Sequence, residues 1–156
     1  MSYKVPRKNK IYHIYNRGNR RAPIGKAKED FDFLYRLIKD ILNIRSYELL
    51  CFCIMPNHYH ILVSQTGREA ISRGMHLINS IYAKYYNSKY GVSGHLFQGT
   101  YHRKWVIGTD ALILTYAYII NNPNKIRSRR SRIYSRLYEN KFLLKDTLAR
   151  IAIRRD

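Results

Sequence analysis

Apolar residues in this chain alternate with polar ones in some stretches and recur every three or four positions in others, and the two periods predict strands and helices in turn. Ile11 to Arg17 (IYHIYNR) alternates and predicts a first strand, closed by Gly18-Asn19. From about Lys28 to Asn43, Phe31, Leu34, Ile38 and Ile41 keep helical spacing, with Glu29 and Asp30 in the first turn where the helix dipole favours acids. Tyr47 to Met55 and His58 to Ser64 are apolar and predict two antiparallel strands across the bend at Pro56-Asn57. A second helix is expected from about Arg68 to Tyr90, burying Ile71, Met75, Ile78, Tyr82 and Tyr85 and ended by Gly91. Ser93 to Tyr101 (SGHLFQGTY) reads as a loop, and Arg103 to Ile107 as a fourth strand. Thr109-Asp110 supply an N-cap for a third helix through Ala111 to about Asn122, where Pro123 stops it.

The order strand, helix, strand, strand, helix, strand, with a further helix appended, is the split βαβ pattern of ferredoxin-like folds. The expected class is therefore α+β, with one antiparallel sheet and helices on one face. A chain of 156 residues suits one domain, here residues 1–123. Residues 124–156 form a basic extension, expected to be helical and to pack on or beside that domain. Such a fold hosts many activities and decides none of them.

Charge narrows the partners. With 29 Lys and Arg against 10 Asp and Glu, the net charge of +19 creates a field suited to a polyanion, nucleic acid first and a membrane surface second. No stretch approaches the roughly 18 apolar residues of a spanning helix. Met1 to Lys10 is polar and basic rather than signal-like, so a cytoplasmic location is expected. Candidate phosphate contacts are Arg17, Arg20, Arg21, Arg103, Lys104, Lys125, Arg127, Arg129 and Arg130, the last four in the carboxylate-free run KIRSRRSRIYSR. Tyr86 and Tyr90 are candidates for stacking on unpaired bases. Cys51 and Cys53, two apart in an apolar strand, read as buried free thiols.

Candidate chemistry centres on MPNHYHILV. On a strand, His58 and His60 point to one face while Tyr59, Ile61 and Val63 point to the other. Two parallel imidazoles can hold one divalent ion but do not complete its coordination. A His-x-His on a strand is also more often a solvated or hydrogen-bonded pair than a metal site, and spacing alone does not choose. On the third helix Tyr118 and Asn122 lie four apart on one face, whereas Tyr116 faces elsewhere. The amide oxygen of Asn122 can serve a hard divalent ion as third ligand, and a tyrosine beside a cation is a competent nucleophile for phosphate.

Four segments in order, IYHIYNRGNRR, MPNHYHILV, SGHLFQGTYH and YIINNPNK, make the chain resemble the HUH endonuclease superfamily. Within it the chain is most similar to the single-tyrosine transposases associated with REP sequences, over about Ile11 to Lys125. The resemblance implies that His58 and His60 bind the metal, that Asn122 is the third ligand, and that Tyr118 is the nucleophile. It also implies Mg2+ or Mn2+, single-stranded hairpin DNA as substrate, a 5′-phosphotyrosine intermediate, and in some relatives a homodimer. After NPNK the family's usual continuation is absent, and RSRRSRIYSRLYENKF stands in its place. Two other readings compete: a non-catalytic ferredoxin-like module that binds single-stranded nucleic acid, and a replication initiator or relaxase, which the short length disfavours.

Overall fold

In the computed structural model, which describes residues 10–44, 47–125 and 134–153, the strand bearing both histidines lies at the centre of a five-stranded antiparallel sheet. The elements run β1 (Lys10–Arg17), α1 (Lys28–Ile44), β2 (Tyr47–Ile54), β3 (His58–Gln65), α2 (Ile71–Tyr90), β4 (His102–Val106), α3 (Thr109–Asn121), β5 (Arg136–Glu139) and α4 (Lys141–Ile153). The strand order is β4-β1-β3-β2-β5. β3 is inserted between β1 and β2, so the unit β1-α1-β2 is split as the sequence pattern predicts, and the α+β ferredoxin-like class stands.

The helices, however, cover both faces of the sheet. On one side Tyr12, Ile14, Phe52, Ile54, Tyr59 and Ile61 meet Phe31, Leu34, Ile38 and Leu42 of α1 and Ile71, Met75, Ile78 and Tyr82 of α2. Each of these aliphatic and aromatic side chains contributes roughly 2 kcal/mol by leaving water. On the other side Ile11, Leu50, Cys51, Cys53, Leu62 and Val106 meet Leu112, Tyr116 and Ile119 of α3, with Leu143, Leu144, Leu148 and Ile151 of α4 packed against them. The expectation of helices on a single face thus holds only for α1 and α2. The reason is legible in β2, whose residues from Leu49 to Ile54 are apolar and buried on both sides; a strand without a polar face needs cover twice. A bulge in β2 between Leu49 and Cys51 turns Leu50 and Cys51 to the same side. Both cysteines are free and buried, and burial pushes the Cys53 thiol up to about 12, which keeps it inert.

Local details differ from the sequence reading in three places. Tyr86, expected to be exposed, is buried, and Tyr85 is half-buried instead. Tyr86 continues the buried stripe of Ile71, Met75, Ile78 and Tyr82 at helical spacing. Asp30 at the start of α1 has a buried carboxylate that accepts the backbone N–H groups of Lys26 and Ala27 and the side chains of Tyr85, Lys89 and Tyr90. That carboxylate draws the tyrosine hydroxyls of α2 sideways and ties the end of α2 to the beginning of α1. At α3 the cap is Gly108, at φ 89°, a conformation glycine alone adopts easily, and no Thr109 or Asp110 side chain caps the helix.

The third difference is the C-terminal extension. It supplies an edge strand, β5, paired to β2 with Phe52 opposite Tyr138, and a helix packed into the second core. Arg136, at the end of the basic run, donates to Asp32 at 2.6 Å, and Arg150 pairs with Glu48 at 2.7 Å, so both cations are engaged with the body of the protein. Arg127, Arg129 and Arg130 lie outside the described residues. No helix among those described is long and apolar enough to cross a membrane.

Candidate active site

The sheet register builds the site. β1 and β3 pair with Tyr15 opposite His60 and His13 opposite Leu62, and β1 and β4 with Tyr15 opposite His102 and His13 opposite Lys104. His58, His60, His13, Tyr15 and Lys104 therefore share one face, the face that α3 covers. His60 is 8% exposed, and its ring stands 5.1 Å from the rings of both His58 and His13. The α3 residue Tyr118, 45% exposed, presents an edge-on contact to His60 at 5.4 Å and to His13 at 6.1 Å between ring centroids. Tyr116 faces the second core, where its hydroxyl donates to Glu139 at 3.1 Å.

A cleft of about 610 Å³ opens beside the imidazoles, lined by Tyr15, Arg17, Arg21, His58, Gln98 and His102 among others. Its rim is a turn at Asn19–Arg21 in which Arg20 and Arg21 both adopt left-handed backbone, at φ 54° and 60°. Such conformations are costly for non-glycine residues and persist only where the surroundings enforce them. Here the Gly18 amide donates to the Asn57 carbonyl, Asn19 to Leu96, and Ile24 to Pro56. A Cβ on Gly18 would stand 2.0 Å from the Ala22 carbonyl oxygen, so only glycine lets the turn close this tightly. Arg17 donates to Gln98, which brings the glycine-rich loop against the end of β1.

Burial holds all three imidazoles uncharged near neutral pH. It depresses His58 below its ordinary value; it lowers His60 to about 3, helped by His58, His13 and Lys125, and His13 to about 4, helped by Lys104. Neutral rings keep lone pairs for coordination. His58 Nδ1 donates to Asn57 Oδ1 at 2.7 Å, which leaves Nε2 as its lone-pair nitrogen. His60 Nδ1 lies 2.9 Å from His13 Nε2.

The other expected site residues divide. Asn122 is buried one turn after Tyr118, and its amide nitrogen donates to the Tyr118 carbonyl at 3.0 Å; among the described residues no hydrogen bond joins it to either imidazole. Lys125 sets its ammonium over the Tyr118 ring, 4.4 Å from the centroid, and Lys104 lies over Tyr15 at 5.7 Å. Arg20 is exposed on the rim. Arg103, one residue from Lys104, points to the opposite face and covers Tyr12 at 5.0 Å, so it does not join the site. No three His, Cys, Asp or Glu side chains converge as a metal cluster among the described residues. Sequence reasoning missed His13, Tyr15 and Asn57, and gave Gln98 and His102 no role. The one available signal was the alternation of IYHIYNR, which sets His13, Tyr15 and Arg17 on one face.

An antiparallel ferredoxin-like sheet with a basic, histidine-lined cleft under a helix-borne tyrosine defines the class. The chain belongs to the IS200-like transposase family, whose profile matches residues 7–122. It is a transposase, an enzyme of DNA breakage and joining. Among solved structures it is similar to a REP-associated tyrosine transposase bound to a REP hairpin, at 18% identity and a TM-score of 0.60, over 80% of this chain and 72% of that one. It is also similar to a protein of Deinococcus radiodurans R1 described as a candidate transposase, at 20% identity and a TM-score of 0.54, over 78% of this chain and 95% of that one. At these identities the likeness is one of fold. No curated protein sequence matches the chain.

Proposed function

We propose that the protein cleaves and rejoins single-stranded hairpin DNA through a covalent tyrosine intermediate, with Tyr118 as nucleophile. His58, His60 and the amide of Asn122 would hold a divalent cation, Mg2+ or Mn2+. The observation behind this reading is the phenol of Tyr118 edge-on to His60, itself part of the lining of a cationic cleft. The donor set fits such an ion: two neutral imidazoles and a carboxamide leave positions for phosphate oxygens and water. Imidazole does not itself select magnesium or manganese, so the ion's identity rests on the family likeness. When bound, the cation would offset charge on the scissile phosphate and orient it.

The protein's own groups do the rest. Arg17, Arg20, Arg21, Lys104 and Lys125 neutralise backbone phosphates around the cleft. Tyr15, stacked on His102 at 5.0 Å, offers a face to an unpaired base. Attack by the Tyr118 oxygen on phosphorus forms the phosphotyrosine bond and breaks the bond to the 3′ oxygen, which leaves as a hydroxyl after taking up the proton the phenol gives to solvent. The ester stores the energy of the broken link, so a second 3′-hydroxyl reverses the step on another strand. The solved relative bound to a REP hairpin supports a hairpin as substrate.

The test is incubation of the full chain with labelled single-stranded hairpins taken from DNA flanking its own gene, with Mn2+ and with chelator. A covalent adduct that requires the metal is expected, together with binding that weakens as salt rises. Tight, salt-sensitive binding that chelator leaves unchanged, with no adduct in any metal, would replace this reading by that of a non-catalytic single-strand binder.

A further inference from the structure

The reaction as set out gives His13 no task, yet its ring touches His60 through the nitrogen that a ligand coordinating by Nε2 does not use. A contact of 2.9 Å between His13 Nε2 and His60 Nδ1 holds one hydrogen, so one ring donates and the other accepts. We propose that His13 is the acceptor and acts as a positioning residue: it keeps the hydrogen of His60 on Nδ1 and thereby turns the Nε2 lone pair of His60 toward the cation. The inference rests on the reading of His58 and His60 as metal ligands given above.

The alternative is chemically distinct. If His13 donated, His60 Nδ1 would supply the lone pair, the hydrogen of a neutral ring would sit on Nε2, and coordination there would be blocked. The neighbouring ligand favours the first arrangement by analogy. Asn57 Oδ1 can only accept, so His58 Nδ1 must donate to it and Nε2 is left for coordination. With His13 accepting, each proposed ligand has an acceptor on its Nδ1, and both present Nε2. Partners of this kind fix the tautomer and orientation of ligating histidines.

The fold also holds His13 for this task. It stands diagonally across β1 and β3 from His60, since Tyr15 lies directly opposite His60 and His13 directly opposite Leu62. Its ring is packed between Tyr15 at 5.3 Å and Tyr118 at 6.1 Å, which restrains it from rotating away. The same ring thus borders both a proposed ligand and the proposed nucleophile.

Two measurements on the full chain decide the matter. In metal-free protein labelled with 15N-histidine, nitrogen shifts report which ring nitrogen carries hydrogen. His60 is expected as the Nδ1–H form in the wild type, to drift toward the Nε2–H form that free histidine prefers in His13→Phe, and to stay Nδ1–H in His13→Gln, whose amide oxygen can accept. In calorimetric titration with Mn2+ alone, His13→Phe should bind about 10- to 100-fold more weakly than wild type, and His13→Gln should recover most of the loss. A wild-type His60 carrying hydrogen on Nε2, or a tautomer that does not change in His13→Phe, overturns the inference. Equal loss in both variants also overturns it, because that is the mark of a packing role. If instead His60→Ala binds Mn2+ as well as wild type, the metal assignment fails, while the nitrogen spectra still judge His13 independently.

Discussion

Tyr118→Phe should abolish the covalent protein–DNA adduct, by a factor on the order of 10⁴ or more, and leave hairpin affinity nearly unchanged. Phenylalanine keeps the ring that meets His60 at 5.4 Å and underlies the Lys125 ammonium at 4.4 Å, so the surface offered to DNA is preserved and only the attacking oxygen is gone. Denaturing gels with labelled hairpin measure the first quantity, and filter binding the second. Tyr116→Phe is the matched control: its hydroxyl is engaged with Glu139 on the far side of α3, and adduct yield should hold. An undiminished adduct in Tyr118→Phe would exclude Tyr118 and turn attention to Tyr15, the phenol lining the cleft.

The second large effect concerns stability. Asp30→Ala should cost about 3 kcal/mol or more, because it removes the acceptor for two backbone amides, two phenols and an ammonium in a buried position. Burial alone would raise the carboxyl, but the hydrogen bonds from Lys89, Tyr90 and the amides of Lys26 and Ala27 outweigh it and hold it well below the usual carboxylate range. A depressed folded value means that the stabilisation is complete above the unfolded value, near 4, and drains away as pH falls toward the folded one. Urea melts from pH 7 down to pH 2.5 should therefore show the gap between wild type and Asp30→Asn constant at neutral pH and shrinking below about pH 4. A gap that stays constant down to pH 2.5 would refute the charge-based account.

How far the sequence disclosed all this depends on whether each signal was local. Strand alternation and the spacing of Phe31, Leu34 and Ile38 are properties of neighbouring residues, and the elements they predict are found within a few residues of their expected ends. His58 and His60 are visible for the same reason. His13 is not, because its meeting with His60, 47 residues away, is decided by the register of β1 on β3. The burial of Tyr86 is a local signal, since it lies one turn beyond Tyr82 on the buried stripe, whereas the hold of Asp30 on Tyr85 and Tyr90 joins residues far apart in the chain. At the C-terminus the density of arginines masked the apolar spacing of Leu143, Leu144, Leu148 and Ile151, which packs α4 into the second core. The N-cap preference of Thr109 and Asp110 yielded to the positive φ that only Gly108 supplies.

The family match ends at residue 122, but the sheet does not. Without β5 the outer edge of β2, Cys51 through Ile54, would present its unpaired amides and carbonyls along two apolar side chains and two thiols. An open edge of that composition is a template on which further copies polymerise. The opposite edge of the sheet needs no such guard, since β4 carries exposed Arg103 and Lys104. The segment that follows the family match thus closes this edge of the sheet, and trimming the protein to its recognisable family portion would trade solubility for brevity.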